Sequence, residues 1–325
     1  MRNPAAFSAI FLSLMLSACG GGSSATTTAP AISTTTPGTA ANVTTIYAGP
    51  SGSSISSGTS STPSGGSAFS VNGQDYPQGI AVDAGKGLLY VVNSRSASII
   101  VIPLANPTQT KSLAVSGVSS IGLPTGIALS NDGNTLYVAD WTNASIYKIV
   151  LNPNAAVASA TVFANSSVGL DNPAGLSLSA DGASLFVANH GATDILRIPT
   201  AGGSTQSYGL PGAENSWDVF ATASDVYATS ANGALGFWPI NGVTVGTFQA
   251  IPINFAQPCG LTEIDGYLYV ADYKAQTISK IDAATGALVA TMNVAPYQPF
   301  FLATDGVNLY FTDGNSGSVN EISRP

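Results

Sequence analysis

The chain has 325 residues, of which 45% are apolar and 8% charged, with a formal net charge of −8. Its nine Lys and Arg are scattered, so it lacks the basic stripe that a nucleic-acid backbone or an anionic lipid surface requires. A charged fraction this far below the usual ~25% disfavours long solvated helices and suits short strands joined by tight turns.

The first 18 residues read as an address. Arg2 gives a positive start, and Ala5 to Leu16 form an apolar run interrupted only by Ser8 and Ser13. That run is too short for a comfortable membrane span, which takes ~20 residues, and fits the core of a signal peptide. Leu16-Ser17-Ala18-Cys19 resembles the bacterial lipobox. The resemblance implies cleavage before Cys19, lipidation of its thiol, and an exported protein whose membrane partner is reached through that lipid. Gly20 after the cysteine implies the outer membrane in a Gram-negative envelope. Residues 20–41 hold only Gly, Ser, Thr, Ala, Pro and one Ile. Such a stretch cannot offset its own ordering entropy, so residues 19–41 are expected to form a flexible tether. Its average reach is roughly 25 Å.

Residues 42–325 carry an internal repeat. Pro77-Gln-Gly-Ile-Ala-Val82 is followed by Leu88-Leu-Tyr-Val-Val-Asn93 and Ser98-Ile-Ile-Val-Ile102. The same three-part unit begins again at Pro124, Pro173, Pro258 and Pro299, with a degenerate copy aligned on Trp217. Starts aligned this way lie 47, 49, 44, 41 and 41 residues apart, in or near the range of a four-stranded propeller blade. Asp132-Gly133, Asp181-Gly182, Asp265-Gly266 and Asp305-Gly306 supply hairpin turns between first and second strands. An outer strand is expected near 111–115, 160–163, 205–208, 247–251 and 288–292. The sixth copy lacks one, and the β-branched segment Val43-Thr-Thr-Ile-Tyr-Ala48 is expected to replace it. The fold is therefore expected to be all-β: a six-bladed β-propeller closed by an N-terminal strand, with residues 49–70 as a flexible loop.

The repeat resembles the NHL family, and its Leu-Tyr-Val-Ala-Asp and Leu-Phe-Val-Ala-Asn segments are similar to YVTN-type repeats. The resemblance spans roughly residues 43–323 and speaks to fold more than to activity.

Propeller ligands are expected at the axial mouth. The residue after each repeat proline and the loop after each second strand supply the candidates: Gln78, Arg95, Trp141, His190, Trp217, Asp218, Tyr273 and Lys274. Asp140, Asp272 and Asp313 recur at one repeat position, where a short acceptor side chain can bond loop N–H groups. His190 is the only histidine and lacks a local partner beyond Asp194 for general-base work. Cys259 is read as a small buried residue. CxxC and HExxH patterns are missing from the sequence, so no metal, cofactor or catalytic residue is assigned. The expected function is a non-enzymatic binding or scaffolding module for a protein or glycan. The alternative is a propeller enzyme, such as a metal-dependent lactonase or a lyase. Gluconolactonase-like propellers hold a metal with Glu, Asn and Asp, but no Glu stands at a repeat start and Glu263 falls late in its strand. Lyase propellers use histidine chemistry, to which only His190 corresponds.

Overall fold

In the computed structural model, which describes residues 39–48, 76–152, 157–212, 214–242 and 244–325, six antiparallel sheets stand around one axis. The first strands of blades one to six are Pro77–Asp83, Pro124–Leu129, Pro173–Leu178, Ser216–Ala221, Pro258–Ile264 and Leu302–Thr304. Each lies beside its successor, and that of blade six lies beside that of blade one, so the ring is closed. The only helical turns among the described residues are two short 3-10 turns, Pro107–Gln109 and Ser166–Val168.

Packing explains why the second strands read as almost unbroken apolar runs. Every blade is covered on both faces by its neighbours. In blade two, Leu136 and Val138 join the cluster shared with blade one, while Tyr137 and Ala139 join the one shared with blade three. Both periods of the strand are therefore buried, at roughly 1.5–3 kcal/mol for each fully buried large aliphatic side chain. Near the axis the inner strands crowd so closely that only hydrogen fits. A Cβ on Gly79 would lie 2.4 Å from the Thr125 carbonyl oxygen, one on Gly126 2.1 Å from that of Ala174, and one on Gly260 2.5 Å from the Phe301 Cα.

The chain's early strand closes the ring. Val43–Ala48 pairs antiparallel with Ser318–Ser323, with Val43 opposite Ile322 and Ala48 opposite Ser318. Thr45 Oγ1 donates to Asn320 Oδ1 at 2.8 Å, and Val43 packs beside Leu309, Phe311 and Ile322. The last residues of the stretch expected to be a tether, 39–41, pair with blade five. Thr39–Ala40 runs parallel to Met292 and Asn293 on the outer edge of blade five, and Ala41 N donates to Asn293 O at 3.1 Å. Cys19, residues 19–38 and the 49–70 loop lie outside the described residues.

Two outer strands also differ from expectation. The stretch expected over 111–115 divides, with Lys111–Ser112 on blade one and Val115–Ser116 crossing to pair parallel with blade two. In blade four the outer strand is two short pieces, Thr244–Val245 and Gln249–Ala250, both on Leu235–Asn241.

Candidate functional site at the axial mouth

The loops entering the first strands and those leaving the second strands share one face of the ring. They are held there by the side chain that ends each second strand. Asp140 accepts from Gly122 N at 2.6 Å, Leu123 N at 3.1 Å and Asn143 N at 3.1 Å, and from Asn143 Nδ2 at 2.8 Å. Asp272 accepts from Ala256 N, Gln257 N and Ala275 N at 2.7–3.0 Å. Asn93 and Asn189 accept from Tyr76 N and Asp171 N at 2.7 Å each. Asp313 accepts from Asn315 N, Ser316 N and Ser316 Oγ, and burial raises its pKa. These groups brace loops.

Strand pairing corrects the alignment of blade four by one residue. Pro77, Pro124, Pro173 and Pro258 stand opposite Asn93, Asp140, Asn189 and Asp272. In blade four the corresponding pair is Ser216 and Ser230. Ser216, not Trp217, therefore takes the proline's place, and Ser230, not Thr229, takes the loop-bracing place, accepting from Glu214 N at 3.0 Å. Trp217 shares its position with Gln78, Thr125, Ala174, Cys259 and Phe300. Asp218 stands where blades one, two, three and five have the crowded glycine and blade six has Phe301.

That register sends the Trp217 indole across the axis. Its ring lies 4.5 Å from that of His190 in blade three, 6.1 Å from that of Trp141 in blade two and 5.3 Å from that of Phe300 in blade six. Trp141 and His190 rings are 4.6 Å apart, and Phe300 meets Tyr273 of blade five at 5.8 Å. Rings from five blades thus fill the mouth. Small neighbours at the Trp217 level, Ala174 and Cys259, are both fully buried and leave the volume that the indole takes.

Packing buries most of the expected candidates. Gln78, Trp141, His190, Trp217 and Asp218 are all buried. Tyr273 and Arg95 are half-buried, and Lys274 alone of the candidates is exposed. Cys259 is buried, as read from the sequence. Phe300, which follows its repeat proline as Gln78 does, belongs to the mouth, and so does Gln257. The Phe300-Phe301 pair, standing where blades one, two, three and five have a small or polar residue and then glycine, carries a signal for the first.

The electrostatics follow from burial. His190 Nδ1 lies 3.1 Å from the Ser216 carbonyl oxygen, which only accepts, so Nδ1 carries the proton. Desolvation lowers the His190 pKa to about 4 despite that bond, and the imidazole is neutral at pH 7. Asp218 accepts from Val219 N at 2.9 Å and, across the blade boundary, from Leu261 N at 3.0 Å. Desolvation still raises its pKa to about 8, because two N–H groups do not replace water or a counter-charge.

A divalent metal of the gluconolactonase kind does not fit this mouth. Among the described residues no group of three His, Cys, Asp or Glu converges. The one carboxyl at the axis directs both oxygens to backbone N–H groups, and the level above it is built from Gln78, Thr125, Ala174, Trp217, Cys259 and Phe300.

Comparison with known proteins supports the architecture. A family model described as SMP-30/Gluconolactonase/LRE-like region matches residues 109–232, less than half of the chain. No curated protein matches the chain in sequence. Among solved structures, a gluconolactonase from Xanthomonas campestris superposes with a TM-score of 0.63 at 12% identity, over 77% of this chain and 86% of that one. Virginiamycin B lyase from Staphylococcus aureus gives 0.55 at 19% identity, over 74% and 79%. A chain of a nidogen/laminin complex gives 0.58 at 17% identity, over 68% and 81%. At these identities the likeness is one of fold, and the chain is a six-bladed β-propeller with a partial match to the SMP-30/gluconolactonase-like family.

Proposed function

We propose that the chain is a cell-envelope lipoprotein, held by a lipid on Cys19, whose NHL-type propeller binds or scaffolds a protein or glycan without catalysis. The observation that carries this reading is the filled mouth. Trp141, His190, Trp217, Tyr273 and Phe300 close the axis with packed rings, and polar groups of the half-buried and exposed rim surround them. Packed rings at the axis leave ligand contact to the loops around it, which supports recognition by a surface and not by a deep substrate cleft. A neutral His190 and a carboxyl engaged by two N–H groups offer no ready acid–base pair.

The enzyme reading has one observation in its favour, the family-model match over residues 109–232. The two separate in a single preparation. The purified full chain is assayed for lactone hydrolysis and lyase turnover with calcium or zinc added, and for saturable binding to isolated envelope polysaccharide and envelope proteins. The binding reading expects saturation without turnover; metal-dependent turnover would overturn it. The anchor has its own test. Cys19→Ser is expected to fold normally and to leave the membrane fraction, and a variant still lipid-anchored would remove that part of the proposal.

A further inference from the structure

Five blades take their outer strand from the chain that follows their own third strand. Blade six takes Val43–Ala48 from the other end of the sequence. A short connection fixes pairing register by its length. No such connection serves blade six, where Thr45 and Asn320 stand opposite each other across 275 residues of chain. Side chains must specify that register, because a slip by one residue would turn Val43 away from Leu309, Phe311 and Ile322.

The third strand of blade six carries a residue suited to the task. At the place of Asn320 the other blades have Ile100, Tyr147, Leu196, Gly236 and Ser279. Asn320 is fully buried, and a buried amide needs partners for both its oxygen and its nitrogen. Its Oδ1 accepts from Thr45 Oγ1 at 2.8 Å, and its Nδ2 donates to Ser318 Oγ at 2.8 Å.

The bonds continue in both directions. Each hydroxyl has one proton to give. Ser316 gives its own to Asp313 Oδ2 at 2.8 Å, so Ser318 is the donor in its 2.7 Å contact with Ser316. Thr45 gives its own to Asn320, so the Tyr297 hydroxyl is the donor in its 3.0 Å contact with Thr45. Five bonds therefore run in one sense, from Tyr297 through Thr45, Asn320, Ser318 and Ser316 to Asp313. Bonds aligned this way polarise one another, and Asn320, Ser318 and Asp313 are shielded from water. One end of the row lies on the strand that closes the ring. The other end, Asp313, holds the mouth loop of blade six through Asn315 N and Ser316 N.

We propose that this row of hydrogen bonds is a conformational link between ring closure and the mouth. Seating of Val43–Ala48 holds the Asp313–Ser318 loop in place, and withdrawal of the strand loosens it. The strand, docked or withdrawn, is the two-state element. Thr45 and Asn320 are positioning residues that act on the loop through Ser318 and Ser316. The link is reciprocal, so a change that frees the loop also loosens the strand. It holds whatever the mouth binds.

Amide hydrogen exchange on the full chain tests it. Thr45→Val removes the donated proton and keeps the side chain's shape. It is expected to speed exchange at Asn315 and Ser316 by about threefold or more. The blade-two amides of Gly122 and Asn143, held by Asp140, are expected to keep their parental rates. Asn320→Leu installs the residue type that blade three has at this place, and in that background Thr45→Val is expected to leave Asn315 and Ser316 unmoved. Ser316→Ala probes the reverse direction without touching the blade-six core, and is expected to speed exchange within Val43–Ala48 by a similar factor. Unchanged exchange at Asn315 and Ser316 in Thr45→Val, or equal speeding in the blade-two loop, would overturn the proposal. The same holds if Thr45→Val acts alike with Asn320 and with Leu at that position, or if the strand is indifferent to Ser316→Ala.

Discussion

Blades three and four have first and second strands of equal length, six residues each, and the same register, yet they bring opposite chemistry to the axis. Blade three contributes Ala174, Gly175 and Asn189; blade four contributes Trp217, Asp218 and Ser230. The difference is tolerated because the two are complementary. Trp217 occupies volume that Ala174 and Cys259 leave, and Asp218 lies against Gly175, where a Cβ would come within 1.9 Å of its Oδ1. Backbone geometry in this ring is fixed by pairing and close packing. Side-chain identity at the axis is fixed by what the adjoining blades leave room for.

The comparison breaks most sharply at Asp218. Its carboxyl holds a proton to about pH 8 in the folded chain, against a reference of 3.8. Between those values the folded state binds more protons than the unfolded state, so stability falls as pH rises, by at most about 6 kcal/mol in all. His190 has the opposite sign: its folded pKa is about 4 against 6.5, so its contribution rises with pH across that window. The two slopes oppose each other from about pH 4 to 6.5, and above 6.5 only that of Asp218 remains. Asp218→Asn, neutral throughout, is expected to be less sensitive than the parent and more stable at pH 9, as read from urea midpoints at pH 5, 7 and 9. Parallel midpoints for parent and variant would mean that Asp218 is ionised and accommodated.

The crowded glycine position gives the next effect. Gly126→Ala puts a methyl 2.1 Å from the Ala174 carbonyl oxygen, and backbone must move to admit it. A loss of about 3 kcal/mol is expected in denaturant unfolding. Asp218→Gly, which makes blade four conform to its neighbours, is expected to unfold no earlier than the parent at pH 8.

The loop-bracing residues give smaller, graded effects. Asp140→Ala removes the acceptor of three backbone N–H groups and one side-chain amide and should cost about 2–3 kcal/mol. Ser230→Ala removes one accepted N–H bond and its own donation and should cost about 1 kcal/mol. Equal losses in thermal unfolding would mean that blade four is braced some other way.

These contrasts also mark what the sequence made legible. Six copies, the Asp-Gly turns and a β-branched segment at Val43–Ala48 announce the closed ring, because strand periodicity and turn chemistry are local. At Asp265-Gly266 both φ values are positive, 51° and 80°, the backbone that such a dipeptide favours. The blade-four register was legible too, but through spacing. Ser216 and Ser230 are 14 residues apart, as are Pro258 and Asp272, and Pro299 and Asp313; alignment on Trp217 breaks that interval. The pairing of Thr39–Ala40 with blade five was not legible, because it runs through the backbone with no side-chain pattern to announce it. Burial of the mouth was hidden for another reason. Whether an axis is open or filled depends on the summed volumes of side chains from all blades, and no single copy reports it.

The central claim is that six blades close on themselves with blade four in the register that lays Trp217 across the axis. Nuclear Overhauser contacts from the Trp217 ring protons test it directly. The account predicts cross-peaks to His190, Trp141 and Phe300, residues of three different blades at ring separations of 4.5, 6.1 and 5.3 Å. A Trp217 ring in contact only with residues of its own blade would contradict both the register and the site built on it.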